Sequence, residues 1–567
     1  MDKPSAINIY QVFTRLFRND TETNKPFGTI EENGCSKFEH FTPRALKAIK
    51  EFGTTHIWFT GILRHATCTN YQQYGITPNN PMIVKGRAGS PYAITDYYDV
   101  DPDLAINPQG RMAEFEALVK RCHKEDLKMI IDFVPNHVAR EYSSINQPDD
   151  IETLGASDNP NHAFLPTNNF YYLPNKGFQI PQGINFPYTL GAKHYSEYPA
   201  KATGNDAFTA QPSINDWYET IKLNYGIDYL NGHQKHFDPI PSTWHKMLHI
   251  MRFWASKGVD GLRCDMVEMV PVEFWQWAIP RVKEINSEII VIAEVYNPSE
   301  YKKFLDAGFD YLYDKVGLYD ISRSLFEGHG SAREITNLWQ QYEGFSHRML
   351  RFMENHDEQR IASQQFAGNP WRAVPAMVLA ATLNAGPLML YFGQEIGENA
   401  IDSEGYSGND GRTTIFDYWQ VTEYQKLVNN GEFDAQHLSK NQLELRNFYQ
   451  KLNDLRLNSK AISNGAFYDL MWANNHLNCD KIFAYLRHYK NEVLLIVLNF
   501  DLHAEYHLKL KIPTDALKIT GLSASNPWQA TELIFNNKKT TLYPQDALGD
   551  GIPILIAANG VAVYRLG

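Results

Sequence analysis

Between residue 7 and about residue 455 the chain alternates short apolar runs with segments of helical period, and it does so eight times. The runs read INIYQVF, HIWFT, KMIIDF, VDGLRCD, IIVIAEV, FDYLYD, HRMLRFME and PLMLYFG. Each has the length of a strand and is rich in β-branched and aromatic residues, as strands buried on both faces require. Thr42-Pro43 opens one intervening helix and Gly53 ends it, with Pro in the first turn and Gly past the last. Phe115 and Leu118 lie in a second, and Trp244, Met247, Leu248, Met251 and Trp254 share one face of a third. Eight strands separated by helices predict a closed (β/α)8 TIM barrel rather than an open sheet.

The alternation stops twice. Residues 138–215 are dense in Asn, Pro, Tyr and Gly and have no helical period. A structureless loop of that length does not belong inside a compact domain, so an inserted subdomain is expected after the third strand. Beyond about residue 460 come KIFAYLRHY, EVLLIVLNF, AEYHLKLKI and GVAVYRL, which predict a C-terminal antiparallel β-sandwich. The expected division is a barrel over 1–137 and 216–459, the insertion over 138–215 and the sandwich over 460–567.

Composition narrows the partners. The net charge is −12 and no basic run occurs, which disfavours nucleic acid and anionic membranes. No apolar stretch approaches the ~20 residues of a membrane helix. The start, MDKPSAINIYQVF, lacks a leader's charge–apolar–small pattern, so a cytoplasmic location is expected. Five cysteines without paired spacing argue against a disulfide framework. Cys122 lies on an apolar helix face, and Cys264 is expected to point into the barrel wall. The 32 Tyr and 11 Trp suit either stacking on flat sugar faces or simply a large aromatic core.

Four segments place polar groups at strand ends: DFVPNH (Asp132–His137), GLRCDM (Gly261–Met266), IAEV (Ile292–Val295) and ENHD (Glu354–Asp357). Three of them deliver a carboxylate there, namely Asp265, Glu294 and Asp357, and barrel enzymes build their sites at the carboxyl ends of several strands. Asp265 and Glu294 are 29 residues apart, the length of one strand–helix–strand unit. Neighbouring strand ends would bring the two carboxyls within the ~5–5.5 Å that a retaining glycosidase needs between nucleophile and acid/base. Arg263 stands two residues before Asp265, on the same strand face, and is expected to hold it ionised. The apolar run around Glu294 is expected to keep that carboxyl protonated as a general acid. Taken singly, each pair reads as a structural salt bridge; four segments in this order favour chemistry.

In this order, and over nearly the whole chain, the segments resemble glycoside hydrolase family 13, the α-amylase family. The resemblance implies that the insertion is the family's domain B. It implies that Asp357 binds the ring hydroxyls and distorts the sugar, and that His137 and His356 touch those hydroxyls. Tyr92 of GSPYAITDYYDVDP matches the tyrosine that stacks on the sugar at the cleavage point, with Tyr97 and Tyr98 as close rivals. Asp132 would support the site, YFGQEIG would close the eighth strand, and Asp410 and Arg412 of NDGRTTIFDYW would meet a second sugar unit. Asn136 matches the family's calcium ligand between barrel and domain B, which makes Ca2+ a candidate cofactor. No clear acidic ligand completes that set, Asn224 being a stand-in, and the polar loop Asn19-Asp20-Thr21-Glu22-Thr23-Asn24 lacks the glycine and acidity of a calcium loop. The chain also departs from the family at Glu268-Met269, where many amylases carry a lysine that grips the leaving-group side. The implied activity is retaining hydrolysis of α-1,4-glucosidic bonds in starch-like glucans or maltooligosaccharides, α-amylase- or neopullulanase-like, by double displacement. A 4-α-glucanotransferase would use the same residues. A non-catalytic sugar-binding protein would be expected to have lost one of the three carboxylates.

Overall fold

The computed structural model describes residues 6–567; residues 1–5, part of the stretch read for a leader, lie outside it. Eight parallel strands follow one another around a ring. They are β1 (Asn8–Phe13), β2 (His56–Thr60), β3 (Lys128–Phe133), β4 (Gly261–Cys264), β5 (Ile290–Ala293), β6 (Tyr311–Tyr313), β7 (Met349–Leu350) and β8 (Leu388–Tyr391). β8 returns to β1 with Asn8 opposite Leu388, and a parallel bridge from Arg351 to Leu388 joins β7 to β8, completing the barrel. All residues of β1, β2, β4, β7 and β8 are buried, which is why the runs are apolar without alternation.

The helices bury the faces expected of them. Pro43–Glu51 is capped by the Thr42 side chain, which accepts from the Ala45 N–H, and Gly53 (φ 86°) turns the chain out of it. Arg111–Lys124 buries Phe115, Leu118, Val119 and Cys122. Ser242–Ser256 buries Trp244, Met247, Leu248, Met251 and Trp254. Cys264 is buried in the main core, and all five cysteines are free.

After β3 the chain leaves the barrel through His137–Ala139 and comes back along the antiparallel strand Thr220–Lys222. Between them lies irregular backbone with a small core of its own, formed by Phe178, Tyr195 and Ala200 with Ile83. Arg140 is locked there by Glu197 (2.8 Å) and lies 3.8 Å over the Phe178 ring. The C-terminal unit is an antiparallel six-stranded sheet, in the order 466–469, 482–489, 492–499, 561–566, 528–532, 539–542, with a second pair, 506–510 and 552–556. Two buried arginines fasten the far end of the barrel: Arg456 donates to the carbonyls of Ala381 and Gly386 (both 2.6 Å), and Arg487 to that of Leu383 (2.9 Å). Among the described residues no helix is long and apolar enough to cross a membrane.

Candidate active site

Arg263, on β4, is wholly buried and anchors the site. Its two terminal nitrogens point to different carboxylates, Nη1 to Asp265 Oδ1 and Nη2 to Glu294 Oε1, each at 2.8 Å. Nη1 also approaches Asp132 Oδ1 (3.4 Å), and Nε donates to the Tyr313 hydroxyl (3.2 Å). Trp58, Tyr92 and Tyr313 box the guanidinium at 5.3–5.5 Å from their ring centres. Cys264 pairs in register with Ala293, and the next step along the same two strands sets Asp265 beside Glu294. The Glu294 N–H donates to the Cys264 carbonyl (3.1 Å), so the ladder runs up to the carboxylates themselves.

Glu294 does not sit in an apolar pocket, contrary to the expectation from its run. Beyond its ion pair with Arg263 it accepts hydrogen bonds from the Tyr296 hydroxyl (2.7 Å) and from the Met266 N–H (2.8 Å). Met266 is left-handed (φ 43°, ψ 48°), a costly conformation for a non-glycine residue, and its N–H is the one that reaches Glu294. Glu268 faces away from any grip on sugar: it accepts the N–H groups of Tyr296 (2.8 Å) and Asn297 (3.0 Å), pinning the loop that carries Tyr296.

One guanidinium contacts three carboxyls, Asp132, Asp265 and Glu294, and its charge also acts on Asp357. Burial and the charge of Glu294 push Asp265 well above the usual carboxylate range in spite of Arg263. Burial and Glu294 raise Asp357 to about 7, and burial raises Asp132 to about 6 against the pull of Arg263. Arg263 alone therefore does not hold Asp265 ionised; the cluster as a whole keeps a proton near neutral pH.

The carboxylates open into a cavity of about 260 Å³ lined by Asp265, Glu294, Asp357, Tyr92 and His137, with Tyr296 beside Glu294. His137 packs against Trp217 (ring centres 5.2 Å apart), and burial pushes it down to about 3, so it is neutral. His356 lies behind this lining. Gln11 donates to its Nδ1 (2.8 Å), and its Nε2 faces Asp357 Oδ2 (3.1 Å) and the Tyr92 hydroxyl. Burial keeps His356 neutral as well, which puts its single proton on Nε2. Tyr97 and Tyr98 turn away, to the Val134 carbonyl and to His249, so that of the three Tyr92 is the one that lines the cavity. Asp410 and Arg412 pair with each other (3.0 Å) outside the lining; Arg412 reaches the site only through the Asp357 carbonyl (2.6 Å). Tyr296, Trp217, Lys85, Glu219 and Phe416 line the cavity without having been singled out in the sequence. Tyr296 lies two residues after Glu294, the strand period that tied Arg263 to Asp265, and that spacing was a usable signal.

The residues at the calcium position do not fit a calcium ion. Asn136 Oδ1 accepts from the Lys222 ammonium (2.8 Å), which pairs with Asp206 (2.5 Å), and Asn136 Nδ2 donates to the Gly204 carbonyl (2.7 Å). A buried cation is already there and the oxygen is in use. Asn224 spends its amide on the carbonyls of Leu165 and Asn168. Among the described residues no group of three or more His, Cys, Asp or Glu is disposed to hold a metal. In the polar loop at 19–24, Asn19 and Asn24 bind backbone carbonyls of Trp419 and Gln420.

Comparison with known proteins agrees with this architecture. The family model for the α-amylase catalytic domain matches residues 11–465. Alpha-amylase 3 of Dictyoglomus thermophilum is 23% identical, covering 72% of this chain and 74% of its own. An oligo-1,6-glucosidase of Bacillus cereus is 21% identical, covering 72% and 80%. Among solved structures, the α-amylase of Geobacillus thermoleovorans, crystallised with acarbose, superposes with a TM-score of 0.63 at 20% identity over 100% and 99% of the two chains. The catalytic-domain match runs through most of this sequence, and the chain therefore belongs to the α-amylase family, glycoside hydrolase family 13.

Proposed function

We propose that the enzyme cleaves α-1,4-glucosidic bonds of starch-like glucans or maltooligosaccharides with retention of configuration. The observation that carries this reading is the shared fork of Arg263, which holds Asp265 and Glu294 side by side on adjacent strand ends. Neighbouring strand ends sharing one guanidinium are the placement that the closely spaced carboxyl pair of a retaining enzyme calls for. Asp265 attacks the anomeric carbon as the bond to the leaving oxygen breaks, and the cluster's proton passes through Glu294 to that oxygen. Water then gives a proton back to Glu294 and displaces Asp265 from the sugar. Asp357 accepts from ring hydroxyls, His356 supports Asp357 and Tyr92 from behind through Nε2, and Tyr92 offers an aromatic face. Relatives named cyclomaltodextrinase and neopullulanase support a glucan substrate, while another is named for the 1,6 bond. We further infer that Lys222 does without calcium what a bound ion would do at the joint between barrel and insertion.

The test is trapping with 5-fluoro-α-glucosyl fluoride followed by peptide mass spectrometry. The label is expected on the peptide containing Gly261–Met266. A label on Glu294 or Asp357, or a β-anomer as the first product from an α-linked substrate, would overturn the assignment.

A further inference from the structure

Resting on that hydrolytic reading, we propose that the cavity is walled off on its glycone side. It then admits only the non-reducing terminal glucose of a chain, and the enzyme removes one unit per event. The wall is where the loops following β2 and β8 meet. The N–H groups of Ala88 and Gly89 both donate to the Phe416 carbonyl (2.9 and 3.0 Å), and the Arg87 N–H donates to Asp417 (2.8 Å). Arg15, just after β1, ties the two loops from below through the carbonyls of Gly89 (2.8 Å) and Ile415 (2.9 Å). The approach is too close for a side chain: a Cβ on Gly86, itself at φ +72°, would lie 2.4 Å from the Phe416 oxygen. Phe416 packs edge-on against Tyr406 (5.0 Å), and Tyr406 against Phe186 of the insertion (5.1 Å), so three segments of the chain close together.

Position decides which end of the sugar chain the wall blocks. Its loops belong to β8, β1 and β2, consecutive in the ring, whereas Glu294 follows β5, four strands away from β1. The general acid must face the leaving oxygen, so the leaving chain lies toward β5 and the wall stands behind the sugar that Asp265 attacks. A volume of about 260 Å³ is small against the ~300–1,000 Å³ of ordinary ligand pockets.

The lining of the closed part matches a chain end. Lys85 and Glu219, both buried, pair at 3.1 Å within the cavity wall, and Lys85 also donates to the Asp216 carbonyl (3.2 Å). An ammonium and a carboxylate side by side offer a donor and an acceptor to hydroxyls. In an α-1,4-glucan the 4-hydroxyl is free only at the non-reducing terminus.

The experiment compares an aryl α-maltoheptaoside with the same compound blocked at its non-reducing end by a 4,6-O-ethylidene group, products being followed by mass spectrometry. The unblocked chain should first yield the aryl maltohexaoside, and the blocked one should react roughly a hundredfold more slowly or worse, since the site would be denied its hydroxyl contacts. Phe416→Ala should recover part of the activity on the blocked chain, and Lys85→Met should raise KM for the unblocked one. Equal rates on both, with aryl maltotrioside appearing early, would overturn the wall while leaving the hydrolase reading intact. Failure to cleave either would sink the hydrolase reading and this inference with it.

Discussion

At the scale of the residue, protonation is the matter that chemistry turns on. A good leaving group needs no proton, so Glu294→Gln should lose nearly all activity on maltooligosaccharides yet still form the covalent intermediate from α-glucosyl fluoride in a fast first turnover, stalling only where water needs its base; equal loss of the first step on both substrates would remove Glu294 from the acid role. Because burial and neighbouring charge raise Asp265, Asp132 and Asp357, the last to about 7, the shared proton persists to near neutrality and is lost above it. Activity should therefore follow a bell, falling on the alkaline side as that proton leaves and on the acid side as the cluster takes up a second proton and no ionised carboxyl remains to attack. Asp357→Asn removes one negative charge, so the remaining carboxyls should release protons more easily. The alkaline limb of its residual kcat/KM profile should move to lower pH; movement the other way would contradict the shared-proton account. Asp265, Glu294, Asp357 and Arg263 were legible because strand period and strand-end position constrain them. The environment of Glu294 was not, because Tyr296, Arg263 and the Met266 N–H reach it from different directions that no local pattern encodes.

At the scale of the element, short connections do as much as strands. Glu268 holds the loop after β5 by two backbone N–H groups, and that loop aims Tyr296 at Glu294. Glu268→Ala should lower kcat about tenfold with little change in KM, as should Tyr296→Phe. The double variant should be scarcely worse than either, since both act through one contact. Independent, multiplying losses would show that Glu268 does something else. The eight barrel strands could be read from sequence because burial on both faces leaves continuous apolar runs. The insertion could be read only as an interruption. Its order comes from side chains bonding backbone, as where Asp158 accepts the N–H groups of Asn169 (2.7 Å) and Phe170 (3.0 Å), and such bonds have no period.

At the scale of the molecule, the barrel–insertion joint depends on a lysine. Lys222 reaches from the returning strand to Asn136 at the end of β3 and to Asp206 within the insertion. A chelator such as EDTA should leave both activity and Tm unchanged, because no bound ion contributes a mass-action term to folding. Lys222→Met should lower Tm by about 3–5 °C, the order expected when a buried pair loses one partner, and added calcium should not restore it. Chelator-induced loss of activity would show that an ion is needed after all. The wall where Phe416 meets Gly86–Gly89 sets the traffic through the site. With a single mouth, a severed glucose lies behind the shortened chain and can leave only after that chain has gone. Every cut must end in full dissociation, so chains of all intermediate lengths should build up together, and free glucose should compete with incoming ends.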